Sequence, residues 1–165
     1  MSKQVFQAPL FVNDSIAAFS SCRKYRYTLW RGNGEKYVQF IGLNPSTADE
    51  VKDDQTIRKC IEFVRIFGYS RFCMTNLFAY RATDPTEMKK VARPVGDDND
   101  RWLLDIAVNA SLIIAAWGTH GGFSGRDKEV IQMIPNMHCF GYSKNGFPLH
   151  PLMLSYKTQI QKFES

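Results

Sequence analysis

The stretch KYVQFIGLNPSTADEVKDDQT, residues 36–56, decides the fold. Its first half, Tyr37-Val38-Gln39-Phe40-Ile41, is aromatic and β-branched and predicts a largely buried strand. The strand runs into Gly42-Leu43-Asn44-Pro45-Ser46-Thr47. Gly42 tolerates positive φ, Pro45 fixes φ and lacks an N–H, and Asn44 before it is pushed out of helical geometry. A buried strand ending this way presents polar side chains and free backbone donors at its C-terminal end, where open α/β sheets bind their ligands.

The chain around this stretch is 165 residues long, which predicts a single α/β domain over 1–165 with a core of its own. Hydrophobic residues make up 44%, which favours a globular chain over a disordered one. No apolar run reaches the ~20 residues of a membrane span. The N-terminus, MSKQVFQAPL, has no signal-peptide core, so a cytoplasmic protein with no membrane association is expected. Cys22, Cys60, Cys73 and Cys139 are scattered without a C-x-x-C pair, which points to buried thiols and to no metal and no cofactor. The formal net charge of +5 favours an anionic partner, nucleic acid or nucleotide. The basic residues come only in short groups such as Arg23-Lys24-Tyr25-Arg26.

Outward from the opening stretch, residues 25–31 alternate in the strand period and Gly32-Asn33-Gly34 is turn chemistry, so 25–31 and 36–43 read as an antiparallel hairpin. Before it, Asp14-Ser15 suits a cap on a short turn over residues 16–19. After it, residues 55–67 read as a helix, with Ile57, Cys60, Ile61, Val64 and Phe67 at 3/4 spacing, Asp53 or Asp54 as N-cap and Gly68 as stop. Residues 71–76 form a strand parallel to 38–41, because the connection contains a helix. Residues 77–94 form a long connection over the sheet's edge, 97–110 a helix, and 111–117 the most apolar strand, ending in Gly118-Thr119-His120-Gly121-Gly122. A helix at 128–134 and a last parallel strand at 137–142 precede a helical or extended tail. The whole predicts a three-layer α/β/α domain with a central, mostly parallel four-stranded sheet and an antiparallel edge hairpin.

Polar residues fall at the ends of four expected strands: Asn44, Asn76, Thr119 with His120, and, past a turn, His150. If the strands are parallel, these ends meet on one rim. Asn offers donor and acceptor together and suits a base edge. Neutral His can donate to an oxygen that gains negative charge.

In order, Gly42-Leu43-Asn44-Pro45, Asn76, Trp117-Gly118 and His150-Pro151 resemble the motifs of the uracil-DNA glycosylase superfamily. The pattern LNPSTADE, DDQTIRKC, TNLFAYRAT and GFPLHPL more closely resembles the domain of unknown function 1643 family of small bacterial and phage proteins. The first resemblance implies a uracil-DNA-glycosylase-like fold and N-glycosidic bond hydrolysis on a nucleobase, modified or not, in DNA or a nucleotide, with DNA as the favoured partner. It implies that Asn44 orients the attacking water, Asn76 reads the base edge and His150 stabilises the leaving base, while Ser46, Thr47 and backbone N–H groups hold a phosphate. Uracil-specific members carry an aromatic where this chain has Ser46, which implies room for a C5-substituted pyrimidine. Stacking on the base then falls to Phe78 or Tyr80.

The candidate catalytic residues are thus Asn44, His150, Asp53 and Asp54, and the candidate substrate contacts are Gly42, Leu43, Pro45, Ser46, Thr47, Asn76, Phe78, Gly118, Thr119 and His120. Several admit a structural reading beside the functional one. Asn44-Pro45 is also a tight turn, and Asp53 and Asp54 are a helix cap or else a general base or divalent-ion pair. His150 is also a half-buried histidine packed for structure, His120 a phosphate contact or a solvated side chain, and Arg58 and Arg81 phosphate contacts or plain surface. Two alternatives to the glycosylase remain in view: a non-catalytic nucleotide or modified-base binding protein, and a metal-assisted hydrolase using Asp53 and Asp54.

Overall fold

The expected strand forms as β3, Val38–Gly42, buried along its whole length. Its flanks on both sides are parallel, as a strand buried on both faces requires. On one side lies β4 (Arg71–Asn76), with Phe40 opposite Met74 and Gly42 opposite Asn76. On the other lies β5 (Leu112–Ala115), with Ile41 opposite Ala115. The computed structural model describes residues 16–164, so the Asp14-Ser15 cap lies outside the described residues. Among these residues the remaining elements are β1 (Ile16–Phe19), β2 (Arg26–Gly32), α1 (Gln55–Ile66), α2 (Pro85–Lys90), α3 (Asn99–Asn109), α4 (Arg126–Met133), β6 (His138–Cys139) and β7 (Gln161–Lys162). The strands form one mixed sheet in the order β1-β2-β4-β3-β5-β6-β7. Its parallel block is β4-β3-β5-β6, and antiparallel strands close it at both edges.

The edge hairpin exists but is built from other strands than expected. β2 pairs with β1 and with β4, and β4 lies between β2 and β3. Residues 16–19 are therefore a strand rather than a turn. The Gly-Asn-Gly turn does not fold β3 onto β2, because its hydrogen bonds go to the residue before β4. Asn33 N donates to Ser70 O at 3.1 Å and Ser70 Oγ to Asn33 O at 2.7 Å. Gly32 sits at φ +83°, and a Cβ there would stand 1.9 Å from Ser70 O. Residues 33–37 are long enough to step across a strand, since an extended residue spans ~3.3 Å and adjacent strands lie ~4.8 Å apart.

Helix α1 starts where the acid pair places it. Asp54 is the N-cap, its Oδ1 accepting from Ile57 N at 2.9 Å, a contact that contributes about 1 kcal/mol. Gly68, at φ +86°, follows the C-cap Phe67. The buried stripe is Ile57, Cys60, Phe63 and Val64, so Phe63 replaces Ile61, which is 40% exposed. Cys22 is exposed, while Cys60, Cys73 and Cys139 are buried free thiols, and burial pushes Cys60 and Cys73 upward. The long connection contains α2, capped by the Asp84 side chain on Thr86 N. The last parallel strand shrinks to β6, and the tail returns as β7 against it.

Period-two alternation along β3 and β5 sends successive side chains to different apolar clusters. Val38, Phe40, Phe72, Met74 and Ile114 pack with the buried stripe of α1. Ile41, Ile113 and Ala115 pack with Leu103 of α3, with Val130 of α4 and with its C-cap Ile134. Trp117 belongs to the second cluster, and its indole edge meets Gly121 so closely that a Cβ there would stand 2.1 Å away. No helix among the described residues is long and apolar enough to cross a membrane.

Candidate functional site

The chain leaves β3 toward β4 on one side and later reaches β5 on the other, so the strand order reverses at β3. The loops leaving β3 and β5 must diverge there, and a crevice opens at the carboxyl ends of the two strands. The structure has a cleft of about 540 Å³ at this point. Gly42, Leu43, Asn44, Pro45 and Ser46 line it from β3, Asn76 from β4, and Ala116, Trp117, Gly118, Thr119 and His120 from β5. Asp54, Gln55, Thr56 and Ile57 add the start of α1, His150, Pro151 and Leu152 the late loop, and Arg26 the start of β2. Three side chains expected on one rim, Asn44, Asn76 and His150, therefore meet around one hollow.

Asn76 closes the floor. It is 3% exposed, and its Nδ2 has no hydrogen-bond partner among the described residues. The register sets it beside Gly42, and a Cβ on Gly42 would stand 2.8 Å from Asn76 Oδ1. Gly42 is thus required for close approach and not for a left-handed turn. The strand-end backbone needs no help from the Asn76 side chain. Leu77 N donates to Gly42 O at 2.9 Å, and Asn99 Nδ2 donates to both Asn76 O and Leu77 O.

Asn44 is held by its amide nitrogen, which donates to Ala82 O at 2.8 Å and Pro45 O at 3.2 Å. Those two acceptors fix the amide's sense and leave Oδ1 as the atom it offers. His150 is held in the complementary way. Its Nδ1 accepts from Leu152 N at 3.1 Å as the cap of the 3-10 turn Pro151–Met153. Nδ1 therefore lacks a proton in the neutral ring, and Nε2–H is the donor. Burial lowers the His150 pKa from its usual 6.5, with the charge of Asp54 opposing, so the ring is held neutral.

The two acids separate. Asp54 caps α1 with one oxygen and lines the cleft. Asp53 does not line it; its Oδ1 accepts from Arg31 Nε at 2.7 Å, and the Arg31 side chain is 7% exposed. A carboxylate held on a buried guanidinium is not paired with its neighbour for a divalent ion. Among the described residues no group of three or more His, Cys, Asp or Glu stands together to hold a metal.

Phe78 does not reach the cleft either. The β3–β4 ladder continues past the strand ends, Phe78 N donating to Leu43 O at 3.0 Å. The ring is fully buried against Phe123, with centroids 5.8 Å apart, so it cannot stack on a base. Tyr80 packs edge-on to Tyr25 and lines a neighbouring hollow. Thr47 lines that hollow too, with Arg23, Lys24 and Arg81, and Ser46, Ala82 and Thr83 are shared between hollow and cleft. His120 is exposed, its Nδ1 2.9 Å from Lys89 Nζ. Arg58 is also exposed, its Nη1 turned to Asp53 O at 3.1 Å and away from the cleft.

Sequence reasoning missed Arg26, which opens a strand that also holds Thr28 and Arg31 and so does not stand out as charged. It is 2% exposed and its Nη1 donates to Ala48 O at 2.9 Å. Gln55, Thr56 and Thr83 were missed as well, although DDQTIRKC and TNLFAYRAT contain them, since those motifs carry no role for the single residues.

No curated protein and no solved structure gives a match to this chain. A family model described as "Protein of unknown function (DUF1643)" matches residues 26–152, which is 127 of the 165. The residues lining the cleft run from Arg26 to Leu152, the same span. The chain therefore belongs to the DUF1643 family.

Proposed function

We propose that this protein binds a nucleobase in the cleft and hydrolyses its N-glycosidic bond, as a uracil-DNA-glycosylase-like three-layer α/β/α enzyme acting in the cytoplasm on DNA or a nucleotide. One observation carries the reading. A buried amide nitrogen without a partner, Asn76 Nδ2, stands at the floor of a cleft that also holds Asn44, Asp54 and His150. An unmet buried donor costs about 1–3 kcal/mol, so its retention at a concave site calls for an acceptor that arrives with the ligand. The volume suits a small ligand of nucleoside size.

The roles follow from the free atoms. Asn76 Nδ2 reads a carbonyl on the base edge. Asn44 Oδ1 accepts from a water and orients it toward the sugar carbon. Asp54, with one oxygen on the helix cap, turns its negative charge toward the cationic character that develops on the sugar, and can take the proton of the water. His150 Nε2–H donates to the oxygen of the departing base, which gains the bond's electron pair. The donors favour a base with carbonyl oxygens, a pyrimidine of the uracil type, and Ser46 leaves space beside the turn for a substituent. The resemblance of Gly42-Leu43-Asn44-Pro45, Asn76, Trp117-Gly118 and His150-Pro151 to glycosylase motifs supports the same assignment. Of the two other readings, the metal-assisted one has little support, because Asp53 is held by Arg31.

The test is incubation with single- and double-stranded DNA carrying uracil, 5-substituted uracils and other modified bases. Released base is read by mass spectrometry and abasic sites by alkaline cleavage. Release without added metal, abolished in Asn44→Ala and His150→Ala and narrowed by Ser46→Tyr to unsubstituted bases, supports the proposal. Base binding with no release from any substrate removes the hydrolysis and leaves a binding protein.

A further inference from the structure

Four arginines are buried among the described residues: Arg26, Arg31, Arg71 and Arg126. Three have a partner suited to a cation. Arg31 holds Asp53 and the carbonyls of Trp30, Asp49 and Lys52. Arg126 holds Asp100, Glu129 and Leu77 O. Arg71 lies 4.1 Å over the Trp30 ring and donates to Gly34 O. Arg26 has none of these. Among the described residues it forms no ion pair with a carboxylate, its side chain makes one hydrogen bond, to Ala48 O, and its Nε has no partner. Of the four, Arg26 alone lines the cleft. The acid facing it there is Asp54, which is committed to the helix cap through Oδ1.

A buried guanidinium is costly without a counter-charge, and its planar fork matches the oxygens of a phosphate. The cleft shares Ser46, Ala82 and Thr83 with a hollow that carries Arg23, Lys24 and Arg81, and of these Arg23 is already held by both oxygens of Glu50. Lys24 and Arg81 thus put positive charge beside the cleft, while that of Arg23 is offset by Glu50. A phosphate brings more oxygens and, as a monoester, up to twice the charge of a lone carboxylate to set against the guanidinium.

We propose that Arg26 is the phosphate anchor of the cleft, so that its ligand is a nucleotide, free or within a strand, and not a nucleoside or a free base. The assignment rests on the nucleobase reading above and adds the phosphate to it. Asn76 and His150 meet the base at one end, and Arg26 meets the phosphate at the other. A strand continues over the Arg23-Lys24-Arg81 shelf, while a free nucleotide leaves that shelf to water.

The test is calorimetric titration of the whole chain with thymidine, 2′-deoxyuridine, their 5′-monophosphates, deoxyribose 5-phosphate, inorganic phosphate and a ten-residue oligothymidylate. A charged hydrogen bond of this kind makes each monophosphate bind about 10- to 100-fold tighter than its nucleoside. Arg26→Gln brings that ratio to within about twofold of unity and leaves the nucleoside affinity in place, while Arg26→Lys is intermediate. An oligothymidylate that binds tighter still, with a steeper salt dependence, identifies a strand; equal binding identifies the free nucleotide. Nucleosides that bind as well as their monophosphates overturn the anchor and leave the base reading standing. Deoxyribose 5-phosphate or phosphate binding as tightly as the nucleotides keeps the anchor and overturns the base reading. Silence from every probe overturns both. Should Arg26→Gln fail to fold, the ratio in the wild-type protein decides alone.

Discussion

Replacing Arg26 by methionine separates an arginine kept for a ligand from one kept for the fold. Methionine keeps an unbranched stem as far as the Nε position and has no charge. Burial pulls the Arg26 guanidinium from 12.5 down to about 10, with Asp54 opposing. That fall corresponds to about 3 kcal/mol of penalty on the charged form. The side chain is almost wholly buried, so little of the penalty is screened by solvent. Against its removal stands the loss of the hydrogen bond to Ala48 O, at a residue with no exposure. A stranded carbonyl there costs about 1–3 kcal/mol. The balance lies between zero and a gain of about 2 kcal/mol, or a rise in Tm of up to roughly 8 °C for a domain of this size. Urea unfolding followed by circular dichroism reads it, with Arg126→Met as the contrast. Arg126 holds two carboxylates and a buried carbonyl, and its loss should lower stability by about 1.5–3 kcal/mol. If Arg26→Met instead loses more than about 3 kcal/mol, the amount that breaking a buried ion pair costs, Arg26 is structural and the reasoning fails.

Three other outcomes follow from the same geometry. Gly42→Ala places a methyl 2.8 Å from Asn76 Oδ1 at a φ that alanine accepts, so it should cost about 1–3 kcal/mol in overpacking and weaken ligand binding as well; unchanged binding in calorimetry would remove Asn76 from the site. His150, whose pKa is lowered by burial, contributes stability that is complete above 6.5 and is lost as pH falls through its lower folded value; an NMR titration midpoint at or above 6.5 contradicts the neutral donor, and His150→Gln should flatten the acid limb of stability. Asp53→Ala strips Arg31 of its carboxylate and should cost about 1.5–3 kcal/mol with binding unchanged, whereas Asp54→Ala should lose about 1 kcal/mol of cap energy and turnover besides, the two being read by denaturation and base release.

Much of the parallel block was legible because local signals and global fold agree there. The apolar run at Val38–Ile41 followed by Gly-Leu-Asn-Pro specifies the strand, and the 3/4 spacing after the acid pair specifies α1, though it leaves the cap open between Asp53 and Asp54 and takes Ile61 where Phe63 is buried. A parallel pair joined through a helix then orders β3 against β4. What was hidden depends on which strands become neighbours. The Gly32-Asn33-Gly34 turn carries hairpin chemistry, yet its hydrogen bonds go to Ser70, and nothing local to residues 25–43 shows that β4 will lie between. β7 is two exposed residues whose pairing with β6 is wholly non-local. At the site, the places of Asn44 and Asn76 were legible because a strand end fixes where a side chain stands, and that of His150 because the loop after β6 returns to the same rim. Asp53 and Asp54 are adjacent in sequence, but α1 turns one toward the cleft while Arg31 draws the other away. Phe78 was misplaced because the ladder runs on two residues past Asn76 and carries its ring inward.

Six buried side-chain atoms lack partners among the described residues: Arg26 Nε, Gln39 Oε1, Asn76 Nδ2, Asn99 Oδ1, Trp117 Nε1 and His138 Nδ1. Their distribution argues for the ligand more strongly than any one of them does. Arg26, Asn76 and Trp117 line the cleft, and the other three do not. All three cleft atoms are donors, whereas Gln39 and Asn99 contribute acceptors elsewhere. Each unmet donor costs about 1–3 kcal/mol, a large sum against a domain stability of about 5–15 kcal/mol. A cleft walled by the unmet Asn76 amide and by an Arg26 guanidinium without an ion pair favours a ligand that brings acceptors and negative charge. A pyrimidine with carbonyl oxygens and an attached phosphate supplies both, and purely apolar or cationic ligands supply neither.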